Sequence, residues 1–109
     1  MHAKFISAAE EKLKTGPVPV PFLVVPRFEQ IKWKVVRVNG EVVSLESIGT
    51  VAPGLPKKLS DLPPKDQYEM YLTFLPKPAS ADENKAFAAF CAERGLTTEM
   101  QAHELKAGQ

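Results

Sequence analysis

IKWKVVRVNGEVVSLESI, residues Ile31 to Ile48, is the stretch whose reading decides the fold. Two apolar-rich runs flank Asn39-Gly40, and both of those residues tolerate the positive φ that a two-residue type I′ turn demands, so the stretch predicts a β-hairpin. A strict two-residue register sets Trp33 opposite Glu46. It also puts Ile31, Trp33 and Val35 on the face away from Val36, Val38, Val43 and Leu45. One extra residue absorbed at Val35-Val36 reunites the apolar set on one side, with Trp33 opposite Leu45 and Lys32 opposite Glu46. A bulged hairpin is therefore expected.

Upstream, Ile6, Ala9 and Leu13 recur at helical spacing between Ala3 and Lys14, and Gly16 is placed to end an amphipathic helix over residues 3–14. The alternating prolines Pro17, Pro19 and Pro21 remove amide donors and hold their predecessors extended. Residues 16–21 thus read as a semi-rigid polyproline II connector, which could alternatively dock in an aromatic groove of a partner. Phe22-Leu23-Val24-Val25, closed by Pro26, reads as a short edge strand able to pair across a dimer axis.

Downstream, Gly49 to Gln67 holds Pro53, Pro56, Pro63 and Pro64 and is expected to be a long loop. Tyr68 to Leu75 alternates, with Tyr68, Met70, Leu72 and Phe74 on one side, and reads as a half-buried strand. Ser80-Ala81-Asp82-Glu83 has the form of a capping box. It opens a helix that carries Phe87, Phe90 and Cys91 inward, reaches Arg94 and stops at Gly95. Thr97 or Thr98 caps a last short helix over residues 99–106.

The expected architecture is α+β: a small antiparallel sheet of three or four strands built on the bulged hairpin, with a packed C-terminal helix and an N-terminal amphipathic helix. The organisation is a single domain over 1–109, with sheet and loop in 22–75 and the C-terminal helices in 80–106. Trp33, Leu45, Leu72, Phe74, Phe87 and Phe90 form the expected core.

Composition bounds the function. The chain has 109 residues, of which 44% are apolar and 25% charged, as an ordinary globular protein has. Its formal charge of +1 supplies no global field toward nucleic acid or membrane, so binding to either requires a local patch. The lone Cys91 cannot form an internal disulfide, no apolar run is long enough to span a bilayer, and the first residues lack a signal-like apolar stretch. A cytoplasmic protein with no membrane partner is expected.

Acid–base and metal chemistry need clustered titratable groups. His2 and His103 stand nearly a chain length apart and read as solvent-facing. Cys91 reads as a buried apolar side chain rather than a nucleophile. Asp61, Asp66 and Glu69 could converge on a cation, although carboxylates beside prolines are ordinarily solvated. The reading is of no enzyme, cofactor or metal site. The chain is expected to be a monomeric or dimeric protein-binding accessory, adaptor or inhibitor module, acting on a protein partner through a sheet edge, a loop or a terminal helix.

The alternative is single-stranded nucleic-acid binding. Arg27, Phe28, Lys32, Trp33, Lys34 and Arg37 interleave cations with aromatics as base-stacking surfaces do, and Lys57, Lys58 and Lys65 could extend the patch while Glu41 and Glu46 dilute it. Against that reading, strand alternation points Trp33 away from its flanking lysines and toward a core.

Overall fold

The computed structural model describes residues 2–49 and 54–108, apart from the His2 side chain. The part of the expected loop at Thr50–Pro53 lies outside the described residues, as does the placement of the His2 imidazole. The elements are α1 (His2–Leu13), β1 (Val18–Pro19), β2 (Lys32–Asn39), β3 (Val42–Ile48), β4 (Leu55–Lys58), a 3-10 turn (Leu59–Asp61), α2 (Pro64–Phe74), α3 (Ala81–Glu93) and α4 (Thr97–Ala107). They fall into two compact units, His2–Leu75 and Pro76–Gln109. The class is α+β, with one antiparallel sheet in the order β1-β2-β3-β4.

In the first unit the β2–β3 hairpin shifts register between Val35 and Arg37, so a bulge falls at Val36. Trp33, Val35 and Val38 then share the buried face with Val43 and Leu45, which is the burial that the apolar pattern demands. The expected pairings are displaced by two residues. Trp33 faces Ser47 rather than Leu45, and Lys32 faces Ile48 rather than Glu46. The cause is the turn: Asn39 pairs with Val42, so the loop residues are Gly40 and Glu41. Positive φ falls on Gly40 alone, at +61°, as a type II′ turn requires at its first loop position.

Both outer strands carry proline. The edge strand expected at Phe22–Val25 is not formed; Val18–Pro19, inside the expected connector, is the strand instead. Alternation explains it, because amides at 18 and 20 point toward β2 while positions 17, 19 and 21 point outward, where proline has no donor to lose. The Val20 amide donates to Trp33 O at 2.9 Å, in keeping with that arrangement. Val20 to Ile31 then runs through successive tight turns, with Leu23 N–H donating to Val20 O and Phe28 N–H to Val25 O.

The expected loop 49–67 contains β4, the 3-10 turn and the start of α2. β4 pairs with β3 through Leu55↔Leu45 and Lys57↔Val43, and the Leu59 amide continues the ladder to Glu41 O at 2.7 Å.

The strand expected at Tyr68–Leu75 is helix α2. Pro64 occupies the first helical turn, where its missing amide is harmless, and Gln67, Tyr68, Met70, Tyr71 and Phe74 are buried at helical spacing. Every second apolar residue in Tyr68–Phe74 belongs to that stripe or its margin, so the alternation was a sample of a helical face. Leu72 is only half-buried. α1 packs on β2 and on α2. Phe5, fully buried, meets Tyr71 and Phe74 edge-on at 5.0 and 5.5 Å between ring centres, and Lys12 Nζ donates to Thr73 O at 2.7 Å.

The second unit is an α3–α4 helical hairpin. Ser80 Oγ accepts from the Glu83 amide at 3.1 Å, and Glu83 Oε1 accepts from the Ser80 amide at 3.1 Å, so the capping box is complete. Gly95, at φ +72°, ends the helix. α4 begins at Thr97, two residues earlier than expected. Leu96 is its N-cap, and no threonine hydroxyl caps it.

Candidate binding surface

Alternation sorts the sheet into two faces. Trp33, Val35, Val38, Val43 and Leu45 are buried on one. The opposite face carries Lys32, Lys34, Arg37 and Asn39 from β2, Val42, Ser44, Glu46 and Ile48 from β3, and Pro56 and Lys58 from β4. All of these are exposed except Lys34 and Ser44, which are half-buried. The bulge brings Arg37 onto the same side as Lys32 and Lys34, since without it Arg37 would share the face of Trp33 and Val35.

The charge of this open face is poorly compensated. Among the described residues the Lys32, Lys34 and Arg37 side chains enter no ion pair, although Lys34 lies directly across from Glu46. Lys58 has a loose contact with Glu41, 3.9 Å between two solvent-exposed groups, which contributes little. Val42 and Ile48 add exposed aliphatic surface at either end of β3.

The aromatic half of the basic-aromatic constellation lies elsewhere. Trp33 is fully buried on the other face, with its Nε1–H inside the core and without a hydrogen-bond partner among the described residues. Phe28 is about one-third exposed and stands edge-on to Trp33 at 6.2 Å between ring centres. Arg27 occupies the third position of a Val25–Phe28 turn at φ +73°, a left-handed conformation ordinarily given to glycine or asparagine. Its amide donates to Glu29 Oε1 at 3.0 Å, and its side chain is exposed. Lys57 is half-buried on the inner side of β4. Lys65 lies on α2 beside Glu69 and over the Tyr68 ring.

Asp61 belongs to the 3-10 turn, and Asp66 and Glu69 lie on α2. Among the described residues no group of three His, Cys, Asp or Glu is placed to hold a metal ion. Burial raises the Asp66 pKa above the ordinary carboxylate value, and the Glu69 charge adds to the effect. Cys91 is fully buried. No described helix is long and apolar enough to cross a membrane.

His103, expected to face solvent, is buried instead. Its Nδ1 lies 2.9 Å from Asn84 Oδ1, and the ring stacks on Phe87 at 5.0 Å and 20°. The Asn84 Nδ2 donates to Ser80 O at 3.0 Å, so Oδ1 is left to accept and the proton on the neutral imidazole sits on Nδ1. Burial, aided by the Lys106 charge, lowers the His103 pKa below its ordinary value. Only the spacing of Asn84 and His103 across a helical hairpin could have signalled this pair, and neither residue type is diagnostic.

Compared with protein families, with curated proteins and with solved structures, the chain finds no match in any of the three.

Proposed function

We propose that this chain is a non-enzymatic protein-binding accessory module that docks through the open face of its sheet. The observation that carries this reading is the juxtaposition of Lys32, Lys34 and Arg37, which enter no ion pair among the described residues, with exposed Val42 and Ile48 on one face of the sheet. Arg and exposed aliphatic groups side by side suit a protein interface. A sheet-edge contact is disfavoured, because β1 is two residues long and both outer strands place proline where an added strand would seek an amide.

A second reading, single-stranded nucleic-acid binding, draws support from the same row of cations but lacks a ring on that face for a base to stack on. The test is affinity enrichment from nuclease-treated extract of the source cells, using the wild-type chain and a Val42→Asp/Ile48→Asp variant whose folding is verified by circular dichroism. Proteins retained by the wild type and lost by the variant are the expected outcome. Identical retention by both would remove the open face from the function.

A further inference from the structure

We infer that the occupant of the open face is a carboxylate-rich, extended segment of a partner protein. This rests on the protein-binding reading above and gives it a chemistry. Lys32 and Lys34 are two residues apart on one strand, so their Cα atoms lie about 7 Å apart along it. An extended peptide with an acid at every second position repeats its carboxylates at the same spacing of about 7 Å. Arg37 extends the row beyond the bulge, and Lys58 lies two strands away beside Val42.

The charge balance favours an anion. These four cations face the single carboxylate Glu46 among the residues that alternate onto this side, and the three on β2 have no ion-pair partner among the described residues. An arriving carboxylate therefore displaces no existing pair on β2. Two further features favour peptide over nucleic acid. Ile48 and Val42, opposite Lys32 and Asn39, bracket the cation row with aliphatic surface, and no aromatic side chain alternates onto this face. Prolines on β1 and β4 keep such a segment from joining the ladder at an edge, so it lies over the open face along β2 and is held by side chains.

The test uses the full-length ¹⁵N-labelled chain. It is titrated separately with an alternating Glu-Ser peptide of about eight residues, long enough to run the length of β2 at about 3.3 Å per residue, with the Lys-Ser counterpart, and with an oligothymidylate. The expected result is amide shifts confined to β2, β3 and β4 with the Glu-Ser peptide and none with the Lys-Ser peptide. Binding should weaken at least about tenfold both in Lys32→Gln/Lys34→Gln/Arg37→Gln and on raising salt from about 0.05 to about 0.5 M, and should tighten in Glu46→Lys.

The spectra themselves report that each variant is folded. Shifts on this face from the oligothymidylate alone would overturn both the inference and the protein-binding reading. No shifts from any probe, or Glu-Ser binding that ignores both sets of charge changes, would overturn the carboxylate inference alone. In that case protein binding is still decided by the Val42→Asp/Ile48→Asp enrichment.

Discussion

The two units of this chain are organised around different kinds of core. In His2–Leu75 the centre is apolar and aromatic: Phe5 meets Tyr71 and Phe74 edge-on, and Trp33, Val35, Val43 and Leu45 are buried along the sheet. In Pro76–Gln109 the hairpin turns on a polar pin, with Ser80 O, Asn84 and His103 linked in series and Phe87 lying flat on the imidazole. Apolar burial is non-directional and scales with area, so it tolerates small displacements. A buried hydrogen-bonded chain is directional, and losing one member strands the others. The first unit should therefore answer to changes in volume and the second to changes in polarity and pH.

The largest effect tests the apolar half of that contrast. Phe5→Ala removes a fully buried ring with two aromatic neighbours and is expected to cost about 3–5 kcal/mol in equilibrium denaturation. A loss below about 1 kcal/mol would mean that the Phe5 cluster does not organise the unit.

Next in size is Asn84→Ala. It leaves the His103 Nδ1–H without its acceptor and removes the side-chain donor from Ser80 O, which keeps the backbone amide of residue 84 at 3.1 Å, at an expected cost of about 1–3 kcal/mol. Native-state hydrogen exchange should show lost protection in α3 and α4 with α1, α2 and the sheet unchanged. Combining Asn84→Leu with His103→Leu should recover much of the loss, because both halves of the buried pair then leave together. Equal loss of protection in both units would dissolve the comparison.

What could be read from sequence follows the same division. The bulge at Val36 was legible because an apolar face must stay on one side of a sheet, and the α3 capping box was legible because it lies within four consecutive residues. The hairpin register was not, since a turn at Gly40-Glu41 competes with one at Asn39-Gly40 and moves every partner by two. α2 was hidden because Tyr68, Met70, Leu72 and Phe74 satisfy a period of two, while Gln67, Tyr71 and Phe74 satisfy the helical one. Pro63-Pro64, a helix start rather than a loop marker, decided between them. Of the basic-aromatic constellation, Lys32 and Lys34 were visibly co-facial, but Arg37 joins them only through the bulge and Lys58 only through β4. The His103 pin joins residues 19 positions apart and carries no local pattern at all.

Acidification should separate the units by the sign of its effect. The His103 pKa lies below its ordinary value of 6.5 in the folded chain, chiefly through burial. The unfolded chain therefore takes up the proton first, and the stability of α3–α4 should fall as pH drops below the ordinary histidine range. The Asp66 pKa is raised above 3.8 by burial and by Glu69, so protonation favours the folded form and relieves a cost as pH falls through its raised value. Hydrogen exchange as a function of pH should show the second unit loosening first. His103→Gln should flatten its response and Asp66→Asn that of α2. A pH-independent α3–α4 hairpin would show that the imidazole is not held neutral by its surroundings.

The smallest effect concerns backbone alone. Arg27 at φ +73° bears the clash of a Cβ in the left-handed region, a cost of about 1–2 kcal/mol, whereas glycine there adds about 0.5–1 kcal/mol of unfolded-state entropy. Arg27→Gly should therefore raise stability by up to about 1.5 kcal/mol, with the gain confined to amides of His2–Leu75. The turn has other supports that the substitution leaves in place: Pro26 sets its second residue, Phe28 N–H reaches Val25 O, and Glu29 accepts the residue 27 amide. Because the Arg27 side chain is exposed and has no ion pair among the described residues, its removal breaks no ion pair among them. A variant less stable than the wild type would show that the guanidinium holds the Val20–Ile31 turns together. The first unit would then depend on a guanidinium anchor besides its buried Gln67 amide, which donates to Leu62 O at 2.8 Å, and the contrast between the two cores would narrow.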